Sequence, residues 1–166
     1  AGRRPDVVPR HARRRGTKRM VVSHPSTASL AARVSSALAL QDVTVREVCE
    51  ALIILEPGIA ELAARTRTRN DLQRIDSAVA AFAASLDSAT SLVAVAAFFD
   101  AVDAATGNRA LLLAQRPLLP LLQNSLRLVI DRVPQARSRI ALAQRRLRDA
   151  IDARDGDAAR EWMGRH

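Results

Sequence analysis

The sequence predicts an all-α protein, and three of its features support this prediction. Tyrosine is absent from the 166 residues, and alternating β-branched residues are scarce. Alanine and leucine, which favour helices, dominate most of the chain after Ser29. Apolar residues recur at spacings of three and four, which places them on one face of a helix. We therefore expect a single antiparallel bundle of about six to seven helices.

Capping residues mark the first two helices. A helix over residues 26–40 should end at the turn formed by residues 41–43. Thr44 and Glu47 then form a capping box, in which each side chain satisfies a backbone N–H of the other, and this box begins the second helix. The apolar face of the second helix consists of Val45, Val48, Leu52, Leu55, Ile59 and Leu62. This face must be buried against other helices.

The third and fourth helices show the same signals. Thr68 and Asp71 form a second capping box, and the fourth helix, over residues 90–105, should end at Gly107, because glycine readily takes the left-handed conformation of a C-cap. The predicted apolar face of the third helix is Leu72, Ile75, Val79, Phe82 and Leu86. That of the fourth is Leu92, Val95, Phe99 and Val102.

Prolines interrupt the next apolar segment, residues 110–133. Pro117 and Pro120 each remove a backbone donor and should kink or split this helix. Another helix is expected over residues 135–153, and a short last one should contain Trp162 and Met163. The predicted face of helix 135–153 consists of Ile140, Gln144, Leu147 and Ile151.

The positive charge of the chain is concentrated at its N-terminus. Residues 1–20 contain eight basic residues and one acid, and so supply +7 of the formal net charge of +9. A solvated basic arm and a phosphate-contacting piece of a DNA-binding module both fit this segment. The distribution of charge does not choose between them.

Several function classes are disfavoured. No stretch approaches the roughly 18 uncharged residues of a membrane span, and no signal-peptide pattern opens the chain, so we expect a cytoplasmic protein without a membrane partner. Cys49 has no second cysteine to pair with and is predicted to be a small buried core residue. Neither a glycine-rich phosphate loop nor paired catalytic residues are present, so we do not expect an enzyme.

Short sequence pieces point to a known family. They are EALIILEP at 50–57, AELAA at 60–64, Thr68 with Asp71-Leu72, the segment 98–108, DAI at 149–151 and GDAAR at 156–160. In this order the chain from Leu30 onward resembles the FadR-type ligand-binding domain found at the C-terminus of many GntR regulators. The resemblance implies that residues 26–166 form an effector-binding and dimerisation domain, which assembles as a homodimer.

The basic N-terminal segment resembles part of the same regulators. Val7-Val8 and the run Arg13, Arg14, Arg15, Gly16 and Thr17 look like the end of a winged helix-turn-helix, so residues 1–25 are interpreted as a wing remnant and linker. The resemblance implies that the run contacts phosphates or the minor groove of operator DNA. Because no recognition helix is visible, the DNA-binding part is expected to be largely missing and DNA affinity to be weak and salt-sensitive.

The metal site of the family is altered in this chain. Family members commonly hold a metal with one aspartate and three histidines, and these positions correspond to Val95, Phe99, Gln144 and His166. One imidazole without a carboxylate cannot hold a divalent ion tightly, so we predict no metal cofactor. An arginine that is usual in the second helix is replaced by Leu52, which removes a partner for a carboxylate effector.

These replacements leave two interpretations of the interior. In one, Leu52, Val95 and Phe99 line a pocket for an apolar effector or an organic acid, with Gln144 and His166 as further candidates. In the other, the apolar side chains fill the space as core, and a neighbouring group satisfies Gln144.

The functional hypothesis is an effector-responsive transcriptional regulator, expected to be a repressor. The alternative is a helical interaction bundle whose basic arm binds nucleic acid without effector control. The effector, the operator and the dimer interface stay open at this point.

Overall fold

The structure is a computed structural model that describes residues 26–165, and this part of the chain forms eight α-helices without any strand. They are α1 (Thr27–Leu40), α2 (Val45–Thr66), α3 (Arg69–Ala84), α4 (Ser88–Ala105), α5 (Arg109–Gln115), α6 (Leu119–Arg132), α7 (Ala136–Asp152) and α8 (Gly156–Gly164). The all-α prediction is confirmed. Pro117 lies in the break between α5 and α6, and Pro120 is the second residue of α6, where a backbone N–H would have no helical partner.

Local side-chain caps set most of the helix starts. Both predicted capping boxes are present, because Thr44 and Thr68 accept from the backbone of Glu47 and Asp71, whose side chains accept in return. Further caps are Ser26 for α1, Asp87 for α4, Asn108 for α5 and Asp155 for α8. Since each cap contributes about 1 kcal/mol, the starts of these helices are encoded within a few residues of sequence.

Two residues of the predicted apolar faces are exposed: Val45, the first residue of α2, is 45% exposed, and Leu86 lies beyond the end of α3. Leu86 was expected on the buried face of α3, but the helix ends at Ala84 and the Leu86 side chain is 96% exposed. The prediction was wrong because the apolar spacing continues past the end of the helix. Gly107, in contrast, has the predicted left-handed conformation, with φ 64°.

The core joins α2, α3, α4, α7 and α8. Its largest fully buried apolar side chains are Ile59, Ile75, Phe82, Phe98, Leu147 and Ile151. The start of α8 packs closely on the second half of α2, since a Cβ at Gly156 would lie 3.1 Å from Glu61 Cγ. Helix α1 lies at the edge, against α5 and α6.

Helix α4 passes through this core. Among the described helices it alone is long and apolar enough to cross a membrane by length and composition, yet half of that stretch is buried inside the bundle. A core helix of a globular domain meets the same criterion, and the burial of Phe98 and Val102 identifies α4 as such a helix.

Arg137 of α7 connects that helix to the junction between α3 and α4. Its guanidinium donates to the Ser91 Oγ at 2.5 Å and to the backbone oxygen of Ser85, and its Cζ lies 5.8 Å from the centre of the Phe82 ring. The Ser85 and Ser91 side chains are buried. Removal of the guanidinium would therefore leave buried acceptors without this donor.

We expect Arg137→Ala to lower the free energy of unfolding by about 1–3 kcal/mol, through these lost hydrogen bonds and the lost cation–π contact. Urea denaturation at pH 7 measures this change. The control is Arg139→Ala, two residues away on the exposed side of the same helix, for which a change below about 0.5 kcal/mol is expected. Equal effects of the two substitutions would contradict the assigned role of Arg137.

Candidate functional site

A cavity of about 700 Å³ lies between α2, α4, α6, α7 and the end of α8. Its wall is mainly apolar and includes Leu52, Val95, Phe99, Leu126, Ile140 and Met163. Cavities that bind small molecules typically measure about 300–1,000 Å³ and are lined mostly by apolar side chains. The space is therefore of a size and character suited to a small molecule.

Glu56 is an acid in this apolar wall. It lies one helical turn after Leu52 on α2 and is 7% exposed. Gln115 at the end of α5 donates from its Nε2 to Glu56 Oε1 at 2.5 Å. Burial, reinforced by the negative charge of Asp103, raises the pKa of the Glu56 carboxyl to about 8, against the lowering effect of that hydrogen bond.

Asp103 is a second buried acid, on α4. It is 1% exposed, and neither carboxylate oxygen has a hydrogen-bond partner in the described part of the chain. Burial and the nearby charge of Asp100 raise the pKa of the Asp103 carboxyl to about 8, although Arg116 acts in the opposite direction. A carboxyl in this environment is largely protonated at neutral pH.

The charged groups that line the cavity are unevenly compensated. Arg116 donates from its Nε to Asp100 Oδ1 at 2.9 Å, and Arg165 pairs with Glu161 outside the cavity wall. Glu56 also lines the cavity, but no arginine or lysine of residues 26–165 pairs with it. Among the described charged residues that line the cavity, the one without an ion-pair partner is therefore an acid, Glu56.

The family of the chain follows from a comparison with known domains. The family model described as FCD domain matches residues 47–166, which is most of the chain. The chain belongs to the FCD-domain family. This domain is the C-terminal domain of GntR-family regulators such as FadR, so the resemblance drawn from the sequence is confirmed. No curated protein matched the chain.

FCD domains are regulatory parts of transcription factors rather than catalytic domains, and this agrees with the expectation that the chain is not an enzyme. The matched range begins inside α2 and includes α3 to α8. It therefore contains nearly all of the residues around the cavity.

The structure brings three of the predicted pocket residues of the FCD domain together. Leu52, Val95 and Phe99 are 8%, 4% and 8% exposed and line the cavity, and Val95 and Phe99 also belong to the buried core cluster. Gln144 is fully buried on α7 but is not among the lining residues, and neither end of its amide has a hydrogen-bond partner in residues 26–165. The expectation that a neighbouring group satisfies Gln144 is not met there.

Other predicted residues lie outside the described part. They are His166 and the run Arg13, Arg14, Arg15, Gly16 and Thr17, together with the rest of residues 1–25, interpreted from the sequence as a wing remnant and linker. The described residues contain no group of three or more histidine, cysteine, aspartate or glutamate side chains placed to hold a metal. Cys49 was predicted to be buried core, but it is only half-buried and lines the cavity.

Sequence reasoning missed the polar side of this site. Glu56, Gln115 and Asp103 were not among the candidates, although Glu56 follows Leu52 by four residues and Asp103 follows Phe99 by four. On a helix, residues four apart share a face, so each acid follows a predicted pocket residue on the same face. An acid at such a position was the available signal.

Proposed function

We propose that this FCD domain senses a small-molecule effector in the cavity between α2, α4, α6, α7 and α8. The observation that supports the proposal is the open space of about 700 Å³ beside Leu52, Val95 and Phe99. These side chains stand where the family resemblance expects an arginine and two metal ligands. The body of the effector is therefore apolar where it meets this part of the wall.

The usual metal of the family does not fit these residues. Val95 and Phe99 carry no atom that can ligate a metal, and the described residues offer no alternative group of ligands. We propose that the domain binds its effector without a metal. Apolar contact then contributes the binding free energy that metal coordination supplies in other members of the family.

We further propose that the complete protein is a cytoplasmic repressor that binds operator DNA as a homodimer through a winged helix. An effector that contacts five helices can favour one packing of the bundle over another, provided that its affinity differs between the two. In a dimer such a shift changes the spacing of two DNA-binding modules and their fit to two half-sites. The basic residues of segment 1–20 would contribute phosphate contacts.

Native mass spectrometry of the full-length protein, with denaturing analysis of any co-purified molecule, tests this proposal. A dimer that carries an apolar small molecule and no metal is the expected result. A stoichiometric metal would show that Val95, Phe99, Gln144 and His166 are wrongly assigned to the ligand positions. An empty dimer that gains no ligand from a metabolite extract would instead favour the effector-free interaction bundle.

A further inference from the structure

Within residues 26–165, only one of the two oxygens of the Glu56 carboxyl accepts a hydrogen bond. Gln115 donates to Oε1, while Oε2 accepts no hydrogen bond from the described residues. Glu56 lines the cavity, and only 7% of its surface is exposed to solvent. A buried carboxyl with a free oxygen beside open space is suited to a ligand group that is positively charged.

The charged residues that line the cavity also favour a positively charged ligand. The arginines at the wall, Arg116 and Arg165, already pair with Asp100 and Glu161. A carboxylate effector would therefore meet the Glu56 carboxyl, without an unpaired cation among the described residues of the wall. A carboxylate placed there would lack the cation partner that a buried charge requires.

We propose that the effector is an amphiphilic cation, with an apolar body in the cavity and a positively charged nitrogen against the Glu56 carboxylate. This inference rests on the proposed function, because it names the chemical class of effector for the same cavity. It replaces the organic-acid alternative that the family resemblance suggested. The cation supplies the counter-charge that residues 26–165 do not provide for Glu56.

Binding of such a cation is coupled to proton release. The pKa of Glu56 is about 8 in the free protein, so at neutral pH the carboxyl must lose its proton to pair with the ligand. Affinity for a permanently charged cation should therefore rise about tenfold per pH unit below pH 8 and level off above it.

Several other titratable or charged groups lie near Glu56 and contribute to the pH dependence of binding. Helix α4 contributes Asp100 and Asp103, while Arg116 and Arg165 come from the end of α5 and the end of α8. Cys49 lies two turns earlier on α2 itself, and α6 and α7 contribute only uncharged side chains to the wall. Removal of the Glu56 carboxyl separates its effect from theirs.

The test is isothermal titration calorimetry of the full-length chain with three probes of equal tail length. These are octyltrimethylammonium, octanol and octanoate, which present a cation, a neutral group and an anion. The cation is expected to bind at least about tenfold more tightly than octanoate at pH 8, with the pH dependence given above. Octyltrimethylammonium does not titrate, so this dependence reports on the protein.

The variant Glu56→Gln keeps the shape of the side chain and removes its charge. It should lose about tenfold or more in affinity for the cation at pH 8, bind octanol as the native protein does, and lose the pH dependence. Glu50→Gln is the matched control, because Glu50 lies on the same helix but is exposed and pairs with Arg46. It should leave all three affinities unchanged.

The outcomes separate this inference from the proposed function. If octanol binds but the cation binds no better than octanoate, the charge assignment is overturned while the apolar effector cavity stands. If none of the three probes binds, both proposals fail. The comparison of probes and pH values in the native chain decides the inference even if Glu56→Gln does not fold.

Discussion

The variant Asp103→Asn is expected to be more stable than the native protein at pH 8, by several kcal/mol. In the native protein burial holds the pKa of Asp103 at about 8, far above its usual value of 3.8. The folded state therefore binds a proton that the unfolded state releases, and this contribution to stability, complete below pH 4, is lost as pH rises towards 8. One such carboxyl lowers the free energy of unfolding by at most about 1.4 kcal/mol for each unit by which the pH rises.

Urea denaturation between pH 5 and pH 8 measures this effect. Native stability should fall as pH rises, with contributions from both Asp103 and Glu56, and the fall should be smaller in Asp103→Asn. Asp131→Asn is the control, because Asp131 is exposed on α6 and lies 3.8 Å from Arg127. Its stability should stay within about 0.5 kcal/mol of the native protein at every pH. A native stability that rises between pH 5 and pH 8 would contradict the burial of unpaired acids.

Substitution of Val95 by phenylalanine should abolish most ligand binding in the cavity. Val95 lines the cavity on α4, so a larger ring at this position occupies space that an apolar effector needs. Forcing the ligand and the added ring into the same space should cost about 1–3 kcal/mol of binding free energy, as overpacking does in a core, which corresponds to a loss of affinity of roughly 5- to 150-fold.

Val93→Phe is the matched control for this experiment. Val93 lies two residues earlier on the same helix and is 71% exposed, whereas Val95 is 4% exposed. Titration with octanol should show the loss of affinity in Val95→Phe and a change of less than about twofold in Val93→Phe. Thermal unfolding checks that both variants are folded. Equal binding by the two variants would place the ligand elsewhere.

The helix starts could be predicted because their causes are local. Thr44 with Glu47 and Thr68 with Asp71 make their hydrogen bonds within three residues, so the sequence contains the whole interaction. The split between α5 and α6 follows from the missing donor of proline and is local as well. Leu86 was misplaced because an apolar spacing alone does not show where a helix ends.

The candidate site was predictable only in part. Leu52, Val95 and Phe99 were found through the family resemblance, which places them where a metal and a carboxylate effector are usually held. The pairing of Glu56 with Gln115 was not found, because it joins residues 59 positions apart in the chain. Cys49 was assigned to the core, since the spacing of a helix cannot distinguish a side chain beside a cavity from one in close packing.

By itself, the sequence determined the all-α class, the capped starts of α2 and α3 and the FCD-domain family, because these depend on local spacing and short motifs. Only the tertiary structure shows that a cavity adjoins Val95 and Phe99 and that no arginine or lysine of the described residues forms an ion pair with Glu56 or Asp103. The reason is physical. The volume between helices, and the desolvation that raises the pKa of a carboxyl, depend on distances between elements remote in the chain.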